Sequence, residues 1–186
     1  MRSMRVGLAL LVFFFTASTS GCAGKLLSSG SGSAARFRHR ELGYEIAYPS
    51  VISQFGWRTE RLDESDLLVR HRDGSAWALA STCRATTAPV RLLAAELARA
   101  TGGRPKVDGG SIEHAGLEGW SQYLQRGAGS QLLQIKTVTL RGPRCTYDWI
   151  LIAPSPERLA SLEPLFDTWW QSFEPGRSDR VQERDQ

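Results

Sequence analysis

The chain has 186 residues, 41% of them apolar, 23% charged and 9% aromatic, with 18 Gly and 8 Pro. This balance excludes a wholly disordered, collagen-like or polytopic membrane protein and suits one compact domain. The formal charge is +4, and +2 once Arg2 and Arg5 leave with the leader expected below, so nothing suggests the concentrated basic face of a nucleic-acid binder.

Met1 to Arg5 carries two arginines, Val6 to Phe15 is an unbroken apolar run, and Thr16 to Gly21 is small and polar. That order predicts a secretory signal peptide. The apolar run reaches only about half of the roughly 30 Å hydrocarbon core, which disfavours a permanent membrane helix. Thr19-Ser20-Gly21-Cys22 resembles the lipobox of bacterial lipoproteins, with Thr19 standing where that motif commonly has Leu. The resemblance implies a lipoprotein signal peptide over 1–21, lipidation of Cys22 by diacylglycerol and a fatty acid such as palmitate, and anchorage to a lipid bilayer. Acyl chains contribute about 0.8 kcal/mol per buried CH₂, so two or more hold a soluble domain firmly. Cleavage just after Ala23 is the alternative and would leave a soluble secreted protein. By resemblance to the enteric sorting rule, Ala23 after the cysteine points to the outer membrane, facing the periplasm. The Gly/Ser-rich residues that follow make 22–35 a flexible tether with a reach of roughly 20 Å.

The main domain is expected over 36–175. Tyr44 to Tyr48 alternates and stops at Pro49, giving a first strand, and Trp57 to Leu62 gives another. Leu67 to Arg72, the pair Asp73-Gly74 and Ser75 to Cys83 predict a hairpin, because Asp-Gly supplies the positive φ of a tight turn. Pro89 to Ala100 predicts a helix with Val90, Leu93, Leu97 and Ala100 on one stripe, ended by Gly102-Gly103. Leu117 to Arg126, Gln131 to Arg141 and Cys145 to Ala153 then read as three strands. Their short Gly-containing connections favour an antiparallel meander. The last strand is apolar on both faces and is expected at the sheet centre, covered on both sides. In Ser155 to Phe173, Leu159, Leu162, Phe166, Trp169 and Phe173 recur at helical spacing, with a kink or restart expected at Pro164. The cluster Trp169, Trp170 and Phe173 reads as a helix docked on the sheet rather than a ligand platform. Residues 176–186 are polar and charge-mixed, and a disordered tail is expected there.

Of three cysteines, Cys22 is assigned to lipid, leaving Cys83 and Cys145. Export makes a Cys83–Cys145 disulfide the default, with two buried free thiols as the alternative. Alternation puts Cys83 with Trp77 and Leu79, and Cys145 with Tyr147, Trp149 and Leu151, on aromatic-rich strand faces.

The element order, and the segments GYEIAYP, TYDWILIAP and FDTWWQSF within it, resemble the Mog/PsbP-like fold. That α/β/α fold occurs in the extrinsic PsbP subunit of photosystem II and in bacterial DcrB-type lipoproteins. The resemblance implies a single α+β domain, an antiparallel β-sheet flanked by helices, acting as a non-enzymatic accessory or binding module. It carries no motif from which a binding site could be transferred.

Catalytic signals are weak. His39, His71 and His114 lack a second ligand at metal spacing, and solvated surface positions are expected for all three. No nucleophile elbow, phosphate loop, dinucleotide fingerprint or zinc-protease motif occurs, so no catalytic residue, metal or cofactor is assigned. Arg36, Arg38, His39 and Arg40 read either as a solvated edge or as contacts to anionic lipid. Asp148, inside the most apolar strand, requires a hydrogen-bonding partner. The sequence therefore predicts a bacterial envelope lipoprotein that binds an unidentified envelope protein or ligand and not nucleic acid. A small-ligand carrier and a hydrolase with a concealed site are the alternatives.

Overall fold

The computed structural model describes residues 35–84, 86–177 and 179. Its frame is a seven-stranded antiparallel sheet built from β3 (Trp57–Leu62), β4 (Ser65–His71), β5 (Ala76–Thr82), β6 (Arg104–His114), β7 (Leu117–Arg126), β8 (Leu133–Arg141) and β9 (Thr146–Ala153). Two helices, α1 (Val90–Ala100) and α2 (Pro156–Gln171), pack on opposite faces, and a small ribbon of β1 (Arg36–Arg38) and β2 (Glu45–Ala47) stands beside the sheet.

Strand order is β3-β4-β5-β9-β8-β7-β6. The meander of the last strands is antiparallel as expected, and β9 occupies the centre. The hairpin at Asp73-Gly74 forms through local chemistry. Gly74 takes φ +92°, the Ser75 N–H donates to the Asp73 carboxylate at 2.7 Å, and the His71 N–H donates to the Ser75 carbonyl.

Alternation along β5 and β9 sends Trp77, Leu79, Tyr147, Trp149 and Leu151 to the face that α2 covers. There Trp77 stacks on Trp169 at 5.5 Å and meets Phe166 edge-on, while Phe173 packs against Tyr147 and Trp149. The aromatic cluster is core, as its spacing predicts. Ser155 caps α2 by accepting from the Arg158 N–H, and Pro156 sits in the first turn, where a missing donor costs nothing. The expected restart at Pro164 does not occur. α2 runs without interruption from Pro156 to Gln171, and Pro164 lies on its exposed side, where its ring meets solvent.

α1 departs from its expected stripe. Val90, Ala94 and Ala98 are buried, whereas Leu93 and Leu97 are half-buried and Ala100 is exposed. Small side chains bring the helix close to β6–β8, leaving the leucines at its flank. Two strands were not foreseen. β6 contains Pro105 and Gly109-Gly110, residue types that strands seldom hold, and its pairing with β7 is irregular around these residues. β1 pairs only with β2, at the end of the expected tether.

The packed domain also runs past the boundary drawn at Pro175. Gly176 lies so close to the Leu42 carbonyl that a Cβ there would sit 2.1 Å from it, and Asp179 is 1% exposed. The Asp179 carboxylate accepts from the Tyr147 hydroxyl at 2.7 Å and the Arg144 N–H at 2.8 Å. Gly176 and Asp179, expected in a disordered tail, therefore pack against the domain. Cys22 and the expected leader lie outside the described residues. Among the described residues, no helix is long and apolar enough to cross a membrane.

Candidate functional site

Cys83 and Cys145 are joined in a disulfide. They follow directly on the Thr82–Thr146 pair that ends the β5–β9 ladder, so antiparallel register sets them opposite each other. Cys145 is buried in the α2-side core and Cys83 is exposed. The bridge covers a sequence separation of 62 residues and fixes the two central strands to each other.

The histidines are not solvated surface groups. His39 Nε2 lies 3.4 Å from Asp66, and its Nδ1 accepts from the Leu42 N–H. His71 pairs with Asp73 at 2.9 Å and packs on Trp57. His114 ends β6, contacts the Phe173 carbonyl at 3.0 Å and meets Trp170 edge-on. Each braces a turn or a strand end. No group of three or more His, Cys, Asp or Glu residues that could hold a metal occurs among the described residues.

Two polar networks serve the fold. Lys136, 7% exposed at its side chain, donates at 2.7 Å to both Glu163 and Asp167 of α2, and Tyr123 donates to Glu163. Burial alone would lower the Lys136 pKa, but the two carboxylates outweigh it and hold the amine above its ordinary value, so it remains an ammonium. A general base or nucleophile needs the opposite shift. Elsewhere the Tyr44 hydroxyl donates to Asp66 at 2.8 Å, and burial together with the nearby carboxylate raises its pKa far above normal. Tyr147 is raised likewise, by burial and by Asp179. Neither phenol ionises near neutral pH.

The arrangement with most capacity for binding lies on the opposite face. α1 packs on β6–β8 and leaves a groove of about 250 Å³ along its flank toward β5 and β9. Leu93, Glu96, Leu97 and Ala100 form the helix wall, spaced to share one side, and Thr82, Thr146 and Asp148 come from the strands. Arg84 and Thr86 close one end. Asp148 receives the Thr139 hydroxyl at 2.7 Å, which is the partner its place in the sequence requires. Burial pushes the Asp148 pKa up to about 6, with the Thr139 hydrogen bond pulling the other way. The groove thus offers a half-buried carboxyl, three hydroxyls and an aliphatic wall. It is smaller than the ~300–1,000 Å³ sites that enclose drug-sized ligands.

Asp148 was singled out by a carboxylate in an apolar strand. Lys136 carries a similar signal, since alternation places it with Val138 and Leu140 on the α2 face, but its partners Glu163 and Asp167 come from a distant helix. Arg84, Glu96 and Asp179 carry no local signal. Much of the basic run after the tether is neutralised: Arg36 pairs with Glu45 and Glu174, and Arg38 with Glu45.

No family model matches the sequence, and no curated protein matches it. Solved structures do match by shape. Cyanobacterial PsbP (CyanoP) from Synechocystis sp. PCC 6803 is similar with a TM-score of 0.59 at 16% identity, over 83% of this chain and 99% of that one. LpqN, described as involved in cell envelope biogenesis of Mycobacterium tuberculosis, is similar with a TM-score of 0.57 at 12% identity, over 76% of this chain and 89% of that one. The fold is PsbP-like, a single α+β domain, as its element order predicts.

Proposed function

We propose that this chain is an exported bacterial envelope lipoprotein, anchored to a bilayer through acylated Cys22, whose single domain is a non-enzymatic binding or accessory module. The observation that carries the reading is the Cys83–Cys145 disulfide. Such bridges form and persist in oxidising compartments, and the leader at residues 1–21 supplies the route to one. With those two sulfurs joined, Cys22 is the one remaining thiol, at the position where a lipobox places its acylated cysteine. The likeness to CyanoP and to LpqN supports the accessory role, since the latter is described by its part in envelope biogenesis.

A partner or ligand would meet the α1 flank, where Leu93 and Leu97 are half-buried around Asp148. The same groove favours a second reading, a carrier of a small ligand. Two measurements test the proposal. Mass spectrometry of the mature N-terminus is expected to find a diacylated or triacylated cysteine, and a chain starting at Met1 with free thiols would overturn the reading. Photo-crosslinking from position 97 in intact cells is expected to capture an envelope protein. Loss of that product on Leu93→Asp would assign the contact to this groove, and capture of a small molecule alone would favour the carrier.

A further inference from the structure

Phe55 is the most exposed of the large hydrophobic side chains among the described residues, at 83%, and Tyr48, seven residues earlier, is 37% exposed. Phe55 lies in the turn between the 3-10 segment Ser50–Ser53 and β3, with the Arg72 guanidinium 4.7 Å over its ring. The base of this turn is firm. Trp57 is buried against Trp77, and the Arg72 N–H donates to the Gly56 carbonyl at 3.2 Å. The phenyl ring therefore projects from a fixed support, and solvent alone gives no reason for it.

The entry of the chain indicates what it faces. The Tyr48 N–H donates to the Ala35 carbonyl at 2.9 Å, so the point where residues 1–34 join the domain lies against Tyr48. The seven residues from Tyr48 to Phe55 span at most about 23 Å, shortened here by the 3-10 turn. If the Gly/Ser-rich residues 22–35 form the flexible tether expected from the sequence, their root-mean-square reach is roughly 20 Å. A domain held at Cys22 thus keeps Phe55 within reach of headgroups, at the high effective concentration that a short tether gives. The charge suits an anionic surface: Arg58 and Arg70 share a single carboxylate, Glu60, and Arg72 lies over the Phe55 ring while the adjacent Asp73 carboxylate is taken by His71 and Arg158. No carboxylate pairs with Arg72 among the described residues.

We propose that Phe55, with Tyr48 and Arg72, docks the domain on an anionic phospholipid bilayer. The phenyl ring enters the interface, the Tyr48 hydroxyl stays at headgroup depth, and Arg72 meets lipid phosphate. Docking rests on the reading of Cys22 as lipidated, but the two are separable by experiment. In the acylated, bridged chain, Gln54→Cys introduces a single free thiol for a nitroxide beside an intact Phe55.

In vesicles of phosphatidylethanolamine and phosphatidylglycerol, the label is expected to collide with oxygen in preference to an aqueous nickel complex. A label at Glu64→Cys, in the turn at the other end of β3, is expected to remain aqueous. Phe55→Ser added to Gln54→Cys should return that label to water, and Arg72→Ala or added salt should shift it part of the way. An aqueous label at position 54 with the acyl chain verified by mass spectrometry would overturn docking and leave the anchor intact. A missing acyl chain would overturn the anchor, and the same label on unacylated protein mixed with the vesicles then decides docking alone. A label that is aqueous in lipid vesicles but immobilised in native envelope membranes would assign the patch to a protein and overturn the proposal.

Discussion

The two faces of the central sheet are built on different principles. Beneath α2 the strands present Trp77, Leu79, Tyr147, Trp149 and Leu151, all at 0% exposure, locked by aromatic rings from a sixteen-residue helix. On the opposite face the shorter α1 buries Leu124 and Ile135 against Ala98, while beside it the strands present Ala76, Ala78, Thr137, Thr139, Asp148, Ile150 and Ile152, of which Ala78 and the last three keep part of their surface open. A helix that packs over only three of seven strands leaves the rest of its face thinly covered. One face therefore holds most of the folding energy, while the other retains freedom for polar groups and for contact with something else.

Substitutions that treat the faces alike should separate them, beginning with the deepest. Trp77→Ala is expected to lose about 3–5 kcal/mol, because the cavity lies among rings that cannot collapse into it. Urea unfolding would measure it, and a loss below that of an exposed site would break the comparison. Next comes the bridge. Cys83→Ala with Cys145→Ala removes a crosslink of separation 62, for which the chain-entropy relation gives about 4 kcal/mol, less any strain in the folded state. Comparing calorimetric transitions of the oxidised wild type and the double variant checks it.

On the thin face, Asp148 makes a pH-dependent prediction. Burial sets its folded pKa at about 6, above the ordinary 3.8, so the folded state holds the proton more tightly than the unfolded chain. The group costs nothing below the lower value, and its cost grows as pH rises and is complete above the upper one. Two pKa units correspond to ~3 kcal/mol at most. Asp148→Asn should thus raise stability at pH 7 and leave it nearly unchanged at pH 4, a crossing that denaturation at the two pH values would reveal. An equal effect at both would show that the carboxyl is fully hydrated. Smallest is Ile150→Ala, expected to lose no more than about 2 kcal/mol because the side chain is only half-buried. A loss equal to that of Trp77→Ala would mean that the α1 face is as closely packed as the other.

The parts of this design that were legible in the sequence are those written in short-range patterns. Asp73-Gly74 specified a hairpin, the leucine and aromatic spacing of 159–173 specified α2, and alternation placed Cys83 and Cys145 each on an aromatic-rich strand face before their register was known. β6 was hidden because Pro105 and Gly109-Gly110 resemble loop residues when the irregular pairing that accommodates them is not visible. The groove was hidden for another reason. A hydrophobic stripe on α1 indicates that the helix packs, but not which way it rotates once alanines permit a closer approach than leucines. Asp179 lay in a polar segment whose only local reading was solvent, because its partners Tyr147 and Arg144 are more than thirty residues away.

The β1–β2 ribbon has a mechanical meaning. It stands outside the main sheet, and it is stitched to the far end of the chain by paired backbone hydrogen bonds between Glu45 and Glu174 and by the Arg36–Glu174 ion pair. Any pull applied to the chain ahead of Ala35 would arrive first at this short clasp. If the chain is anchored as proposed, a few hydrogen bonds there would open and reclose under load before strain reached the seven-stranded sheet, and the ribbon would act as a shock absorber.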